Sequence, residues 1–237
     1  MRRKLISNFL RKRGLIIAPL DGPFLEAAMA RLKGRLDALE TIIDVGASNG
    51  CWTEACLRHY PKAHVLCIEA QAAHEPSLQG LKRRHANIEY ILAAAGDREG
   101  TIYFEGGDLF GGVACEQPVG PNSHPVPMTT IDTQVRQRGL SGPFLIKLDT
   151  HGFELPILSG AAKTLDSTAV LVIEVYNFQI APTAVRFPQL CEFMENKGFR
   201  CVDIFDPMYR PKDRAFWQMD MVFMRADRPE FKSNTFT

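Results

Sequence analysis

Short apolar runs of strand length alternate along the chain with segments in which apolar residues recur every three or four positions. Seven such runs predict β-strands, at residues 41–46, 65–69, 88–93, 143–149, 169–176, 199–205 and 216–224. The helical segments between them carry Pro76, Pro156 and Pro188, and proline favours the first turn of a helix. This alternation predicts a doubly wound α/β fold with a seven-stranded, mostly parallel sheet.

The last two strands are expected to pair antiparallel. A charged segment with two prolines joins them, and it has no room for a crossover helix. Upstream, residues 23–39 have helical spacing, so we expect a helix beside the first strand. With 46% hydrophobic residues, the chain suits one large domain over 41–237, preceded by a basic arm and packing helix over 1–40.

A long segment from Glu105 to Pro127 breaks the strand and helix pattern. It is rich in glycine, proline, asparagine and serine, which predicts irregular structure. Loops of this length inside a compact domain usually cover a binding site or are mobile. We therefore expect residues 106–125 to form a mobile lid.

The formal net charge of +1 hides a basic N-terminus. Residues 1–13 hold six lysines or arginines and no acid, whereas the remainder has 22 basic and 27 acidic residues. We interpret this arm as a solvated helix, and the alternative is contact with an anionic membrane surface or a protein partner. The pI of about 7.6, and the lack of interleaved basic and aromatic residues in the core, argue against a nucleic-acid partner.

The sequence favours a reducing compartment. Its six cysteines form no CxxC pair, its N-terminus lacks the features of a signal peptide, and no apolar run is long enough to cross a bilayer. We expect a cytoplasmic protein, peripheral at the membrane if the basic arm binds there. The oligomeric state stays open.

A glycine turn after the first strand carries the strongest chemical signal. The run IIDVGASNG has an acid near the end of the strand and two glycines in the turn, which predicts a nucleotide-type cofactor site. Its spacing differs from the GxGxxG of dinucleotide enzymes. A second acid, Glu69, ends the next strand, where a carboxylate can accept both hydroxyls of a ribose. The candidate cofactor residues are Asp44, Gly46, Ala47, Ser48, Asn49, Gly50, Thr53, Glu69, Ala70, Gln71 and Ala94, the last in an alanine run taken as the end of the third strand.

The chain resembles the FkbM family of S-adenosylmethionine-dependent methyltransferases over roughly residues 40 to 180. The segments that carry this resemblance are IIDVGASNG, CIEAQ, LAAAGDREGTIYF, TTIDTQV, IKLDTHGFELPILSGA and LVIEVY, in that order. The resemblance implies the class I methyltransferase sheet, S-adenosylmethionine as cofactor, and an O-methyltransferase that acts on a hydroxyl of a sugar, glycan or other secondary metabolite. It covers the glycine-rich lid too weakly to identify the acceptor.

Methyl transfer to a hydroxyl needs a base or a metal ion near the acceptor oxygen. Asp149 ends the fourth strand and Glu174 lies late in the fifth, so both carboxylates belong to the carboxyl edge of the sheet. We predict that they hold a divalent cation such as magnesium, or that one acts as base, with His151 assisting. The alternative is that each pairs with Lys147 or an arginine. Glu154 is better explained as a helix-capping acid.

Three other functions stay open from the residues themselves. An N-methyltransferase would often carry a signature such as NPPY after the fourth strand, and this chain reads LDTHG there. A dinucleotide oxidoreductase is disfavoured by the glycine spacing. A noncatalytic cofactor-binding module that docks a partner would leave Asp149 and Glu174 without a role.

Overall fold

The structure, a computed structural model, describes residues 22–236. The basic arm at residues 1–13 lies outside this range, so its interpretation stays a prediction. The described helices are α1 (Leu25–Arg35), α2 (Cys51–His59), α3 (Glu75–Arg84), α4 (Ile131–Arg138), α5 (Glu154–Ser159) and α6 (Phe187–Asn196). The strands are β1 (Thr41–Val45), β2 (His64–Glu69), β3 (Ile88–Leu92), β4 (Ala94–Ala95), β5 (Gly100–Glu105), β6 (Val113–Cys115), β7 (Ser123–Thr129), β8 (Phe144–Leu148), β9 (Thr168–Tyr176), β10 (Phe199–Tyr209) and β11 (Phe216–Arg225).

The main sheet has seven strands in the order β10-β11-β9-β8-β1-β2-β3. Strands β3, β2, β1, β8 and β9 pair in parallel, while β11 is antiparallel to both of its neighbours. The predicted fold class and antiparallel ending are therefore confirmed. The order reverses between β1 and β8, and in such sheets this switch point is where ligands bind.

Both faces of this sheet are covered, which explains why its central strands read as continuous apolar runs. All five residues of β1 and of β8 are buried. One face packs against α1 to α3 through residues such as Met29, Leu32 and Leu78. The other face packs against α5, α6 and a second sheet through residues such as Ile157, Met194 and Met128.

The second sheet corrects the prediction of a long irregular lid. It has the order β4-β7-β5-β6, and β6 and the start of β7 lie within the segment expected to lack structure. Pro125 and Pro127 are exposed in β7, and β4 pairs only with Met128 and Thr129 on that side. Strands tolerate proline where no neighbour needs the N–H. Residues 106–112 and 116–122 remain without strand or helix.

Most strand boundaries differ from the prediction by one residue, and two of the differences change the site. The third strand ends at Leu92, and Ala94 belongs to β4 of the second sheet. Strand β10 continues to Tyr209, four residues beyond the predicted end, because bulges let it pass Asp206 and Pro207 without leaving β11. The β10–β11 hairpin therefore extends past the carboxyl edge of β9.

None of the described helices is long and apolar enough to span a membrane. All six cysteines lie in the described range and none of them is in a disulfide. Cys56 and Cys67 are buried, Cys51 is exposed, and the others are half-buried.

Candidate active site

A cavity of about 640 Å³ opens at the carboxyl edge of the main sheet. The ends of β1, β2, β8 and β9 form its floor, and the start of the antiparallel β11 reaches the same edge. Residues 108–112 of the loop after β5 form its roof. This is the predicted location at the switch point of the strand order.

The glycine turn after β1 has an unusual backbone. Gly46, Ser48 and Gly50 all have positive φ, of 74°, 51° and 80°. A Cβ on Gly46 would lie 2.0 Å from the carbonyl oxygen of Asp149, and one on Gly50 would lie 2.7 Å from the Leu81 side chain. The glycines are thus required by the packing of the turn against the end of β8 and against α3, in addition to the dihedral freedom that the sequence indicated.

Glu69 lies beside this turn with its carboxylate buried, at 5% exposure. One carboxylate oxygen accepts a hydrogen bond from the backbone N–H of Ser48, and the other accepts one from the backbone N–H of Gln71, each at 2.7 Å. A carboxylate has about four acceptor positions, so two remain for the hydroxyls of a ribose. Glu69 therefore fixes the turn, and its role in binding a ribose stays a prediction.

The predicted cofactor residues divide into two groups. Gly46, Ser48, Glu69, Ala70, Gln71 and Ala94 line the cavity, whereas Asp44, Ala47, Asn49, Gly50 and Thr53 do not. Asp44 is 1% exposed beneath the turn and accepts a hydrogen bond of 2.5 Å from the Thr53 hydroxyl. Burial raises the pKa of Asp44 to about 6, although Lys147 and Thr53 favour its ionised form. This second group supports the turn from outside the cavity.

The roof of the cavity is tied to the cofactor side by two side chains. The Gln71 amide donates to the carbonyls of Asp108 and Leu109, both at 3.1 Å. The buried ring of His74 has its Nε2 2.8 Å from the Leu109 carbonyl and 3.4 Å from the Ser48 hydroxyl. Phe110 lies over His74, with ring centroids 5.6 Å apart. The irregular part of the predicted lid therefore covers the cavity.

Asp149 follows β8 and faces Lys147, whose ammonium is buried at 3% side-chain exposure. Lys147 Nζ donates to Asp149 Oδ2 at 2.9 Å, so the predicted alternative of pairing with Lys147 is present. Burial alone would raise the pKa of Asp149, but the nearby ammonium outweighs it and holds the pKa below its usual value. Asp149 is thus held as a carboxylate, and its Oδ1 faces the cavity side where His151 lies.

Glu174 has the opposite protonation tendency. Burial, and then repulsion from Asp149, raise its pKa to about 7. The Tyr176 hydroxyl donates to its Oε1 at 2.5 Å, and the Gln218 amide donates to its Oε2 at 2.6 Å. Two neighbouring carboxyls with pKa values moved apart are a common feature of acid and base sites.

His151 connects the two carboxylates. Its Nε2 lies 3.7 Å from Asp149 Oδ1 and 3.6 Å from Glu174 Oε1, and its Nδ1 lies 3.1 Å from the Gly112 carbonyl of the roof. Its backbone φ is 52°, in the left-handed region. Glu154 accepts hydrogen bonds from the Gly152 N–H at 2.8 Å and from the Thr150 hydroxyl at 3.2 Å, so it stabilises the turn before α5 and makes no capping bond to the helix itself.

The side chains of Asp149, His151 and Glu174 each offer one ligand atom, and these atoms lie within 4.8 Å of one another. Two carboxylate oxygens and an imidazole nitrogen form a donor set that suits a divalent cation. Lys147 and Tyr176 compete for part of this set, because each already bonds one of the oxygens. The residues can therefore hold a metal ion or act without one.

The sequence did not indicate several residues of this cavity. These lining residues are His74, Tyr176, Trp217, Gln218 and, in the extended hairpin, Met208. The positions of Tyr176 and Gln218 follow in principle from the predicted sheet. Tyr176 lies two residues after the acid of β9, and Gln218 pairs with Tyr176 because the antiparallel last strand starts at the same edge. His74 and Met208 reach the cavity through a short 3₁₀ turn and a bulged strand, which no periodic pattern specifies.

A family model for the methyltransferase FkbM domain matches residues 44–201, more than half of the chain. The chain belongs to the FkbM methyltransferase family. The matched range contains the glycine turn, Glu69, Asp149, His151 and Glu174 of this FkbM-family protein. No curated protein matches the chain significantly.

The chain is similar to several solved methyltransferase structures, and the first of them shows the same fold. An FkbM methyltransferase from Methylobacillus flagellatus KT is 18% identical, with a TM-score of 0.52, and the match covers 78% of this chain and 44% of that protein. This chain therefore spans less than half of that protein's length. A 1,6-didemethyltoxoflavin-N1-methyltransferase from Burkholderia thailandensis, with bound 1,6-didemethyltoxoflavin and S-adenosylhomocysteine, is 14% identical (TM-score 0.48; 85% and 77% covered). Fibrillarin from Aeropyrum pernix, with natively bound S-adenosyl-L-methionine, is 13% identical (TM-score 0.46; 83% and 74% covered).

Proposed function

We propose that this chain transfers the methyl group of S-adenosylmethionine to a hydroxyl of a sugar, glycan or other secondary metabolite. One observation carries the proposal. A single cavity joins a carboxylate suited to a ribose, Glu69, to a cluster of acids and imidazole suited to a hydroxyl, formed by Asp149, His151 and Glu174. The family membership supplies the methyltransferase class.

The cofactor side of the cavity fits S-adenosylmethionine. Glu69 keeps two acceptor positions for the ribose, and the buried alanines at 93–95 leave a flat apolar space next to it, which suits an adenine ring. When bound, S-adenosylmethionine supplies a methyl group on a sulfonium, ready for in-line displacement. Ser48 and Gly46 line the path from Glu69 toward Asp149, where the methionine end would lie.

The tautomer of His151 supports a role as base. The Gly112 carbonyl can only accept a hydrogen bond, so Nδ1 of the neutral ring carries the proton and Nε2 keeps its lone pair. Nε2 then takes the proton of an acceptor hydroxyl while the oxygen attacks the methyl carbon. Asp149, held ionised by Lys147, stabilises the imidazolium that forms.

A divalent cation, such as magnesium, is the second way in which this cluster would activate the hydroxyl. Asp149 Oδ1, His151 Nε2 and Glu174 Oε1 would hold it, and the neutral tautomer of His151 is also the form that binds metals. The cation would lower the pKa of a hydroxyl bound to it. The two routes differ in their response to chelators.

The test uses methyl-labelled S-adenosylmethionine with a panel of deoxysugar glycosides, glycans, polyketide alcohols and matched amines, with EDTA or magnesium. We expect methylated alcohols from the wild type and turnover lower by at least ~100-fold in Asp149→Asn, the usual cost of losing a positioned acid or base. Asp166→Asn, at an exposed site away from the cavity, is the control. Loss of activity in EDTA would assign the metal route.

Product on amines alone would refute the O-methyltransferase proposal. Failure of the protein to bind S-adenosylmethionine or S-adenosylhomocysteine in calorimetry would refute the methyltransferase proposal as a whole. Normal turnover in both Asp149→Asn and Glu174→Gln would remove this cluster from the mechanism.

A further inference from the structure

The cavity extends beyond Asp149, His151 and Glu174 to a wall formed by Ile180, Met208 and Trp217. The proposed reaction does not use this wall. Along the sheet edge, Glu69 lies on β2, Asp149 follows β8, Glu174 lies on β9, and Trp217 lies on β11. Neighbouring strands are about 5 Å apart, so β11 is about 10 Å from β8 and about 20 Å from β2. Trp217 therefore lies on the far side of the reacting centre from the cofactor position, where an acceptor must enter.

This wall is apolar, and aromatic neighbours hold its indole. Met208 is 50% exposed, and the half-buried Ile180 and Trp217 line the cavity together with it. The Trp217 ring stacks on Phe178 with centroids 5.2 Å apart and meets the Tyr176 ring edge-on at 5.7 Å. An indole fixed from two sides offers a preset surface, which lowers the entropy cost of binding a ligand against it.

Two polar groups beside the wall have no hydrogen-bond partner in the part of the chain that the structure describes. Among the described residues, neither the indole N–H of Trp217 nor the amide oxygen of Gln218 makes a hydrogen bond, although the Gln218 nitrogen donates to Glu174. One is a donor and the other an acceptor. An apolar surface with a hydrogen-bond donor and an acceptor at its edge is complementary to a saturated ring that has C–H bonds on one face and hydroxyls around its edge.

The charges of the residues that line the cavity disfavour an anionic acceptor. No lysine or arginine is among the described residues that line it, whereas four acids do: Glu69, Asp108, Asp149 and Glu174. Arg210 lies near the wall, with its guanidinium carbon 3.9 Å from the Phe178 ring centroid, but Asp213 pairs with it at 2.6 Å. The Arg210 guanidinium carbon is also 5.9 Å from the Trp217 ring centroid, so Arg210, already paired with Asp213, is the one cation among the described residues near the wall that an acceptor phosphate or carboxylate could approach, whereas four acids line the cavity.

We propose that Trp217, Met208 and Ile180 form an acceptor subsite for an uncharged, hydroxylated saturated ring. The ring lies with its C–H face against these side chains, and its reacting hydroxyl points to His151 Nε2. The Trp217 N–H and the Gln218 carbonyl bind neighbouring hydroxyls. The subsite accepts glycosides and rejects the same sugars linked to a nucleoside diphosphate. This inference rests on the proposed function, since it assumes transfer at the Asp149 cluster.

The experiment uses the full chain loaded with S-adenosylhomocysteine, whose binding is measured first by calorimetry. Methyl deoxyhexosides, their nucleoside-diphosphate-linked forms and open-chain alditols of equal hydroxyl number are then titrated. We expect the methyl glycosides to bind most tightly. Trp217→Leu should weaken their binding about tenfold and Trp217→Phe much less, because an aromatic face remains. Neither change should alter the affinity for S-adenosylhomocysteine.

Tyr209→Leu is the matched control, since Tyr209 is an exposed aromatic residue of the same hairpin that does not line the cavity. Equal glycoside affinity in Trp217→Leu and wild type would overturn the subsite, and so would tighter binding of the nucleotide-linked sugars or of the alditols. In each case, S-adenosylhomocysteine binding and methyl transfer to any alcohol would leave the proposed function standing. Absence of S-adenosylhomocysteine binding would instead refute the proposed function.

Discussion

Replacing Glu69 by glutamine is expected to weaken cofactor binding and protein stability together. The carboxylate accepts two backbone N–H groups, from Ser48 and Gln71, and offers its remaining acceptor positions to the ribose. The amide of Glu69→Gln keeps one accepting oxygen and replaces the other with an NH₂ donor. One backbone N–H of the turn and one ribose hydroxyl then lose their acceptor.

The two losses can be estimated separately. A hydrogen bond to a charged group contributes about 1.5–3 kcal/mol, so the Kd for S-adenosylhomocysteine should rise roughly 10- to 150-fold. A buried backbone N–H left without an acceptor costs about 1–3 kcal/mol of the free energy of unfolding. Glu69→Ala would remove both acceptors of the turn, so the glutamine variant gives a clearer measure of ribose binding.

Calorimetry with S-adenosylhomocysteine gives the first quantity, and urea denaturation of the free protein gives the second. Glu195→Gln, at an exposed position near the end of α6, is the control for loss of one negative charge. An affinity for S-adenosylhomocysteine within about twofold of wild type would refute the ribose assignment, since no charged contact of this kind is worth so little. A loss of stability with unchanged affinity would leave Glu69 with a role in the turn alone.

Two further predictions concern the acids and the roof of the cavity. Burial, which Lys147 offsets only in part, raises the pKa of Asp220 from 3.8 to about 6. The folded state then binds more protons than the unfolded state between these values, so the free energy of unfolding falls as pH rises through that window. In Asp220→Asn, the free energy of unfolding measured by urea denaturation should fall by about 2 kcal/mol less between about pH 4.5 and 7. An unchanged dependence of this free energy on pH would contradict the prediction. Gln71→Leu removes two hydrogen bonds to the roof, so in hydrogen exchange the backbone amides at 108–112 should exchange faster than in wild type. Cofactor and acceptor together should slow this exchange. Uniform protection in both free proteins would show that residues 106–112 do not form a lid.

The sequence predicted the parts of the site that lie directly on regular strands. Glu69 ends β2, Asp149 directly follows β8, and Glu174 lies two residues before the end of β9. The shared carboxyl edge of these parallel strands brings the three carboxyls to one cavity. The apolar runs around them are unambiguous, because strands covered on both faces have few polar residues. His151 followed from its two-residue distance to Asp149.

The missed parts depend on contacts that local patterns do not encode. Strand β7 carries two prolines, whose turn preference predicts a loop, although its exposed proline positions need no partner on that side. The length of the hairpin depends on bulges, which let Met208 reach the cavity beside Gln218. Such features are decided by tertiary pairing, which overrides the turn preference of proline and glycine.

The contact between the glycine turn and the end of β8 has a consequence for how this protein can change its substrate. The Cβ position of Gly46 falls 2.0 Å from the carbonyl oxygen of Asp149, so the main chain itself spaces the donor pocket from the acid cluster. Side-chain replacement in the lid or in the β10–β11 hairpin leaves that spacing untouched. Under the proposed function, acceptor choice would therefore change separately, through new residues around Trp217 and Met208, while the alignment of oxygen, methyl carbon and sulfur would stay the same.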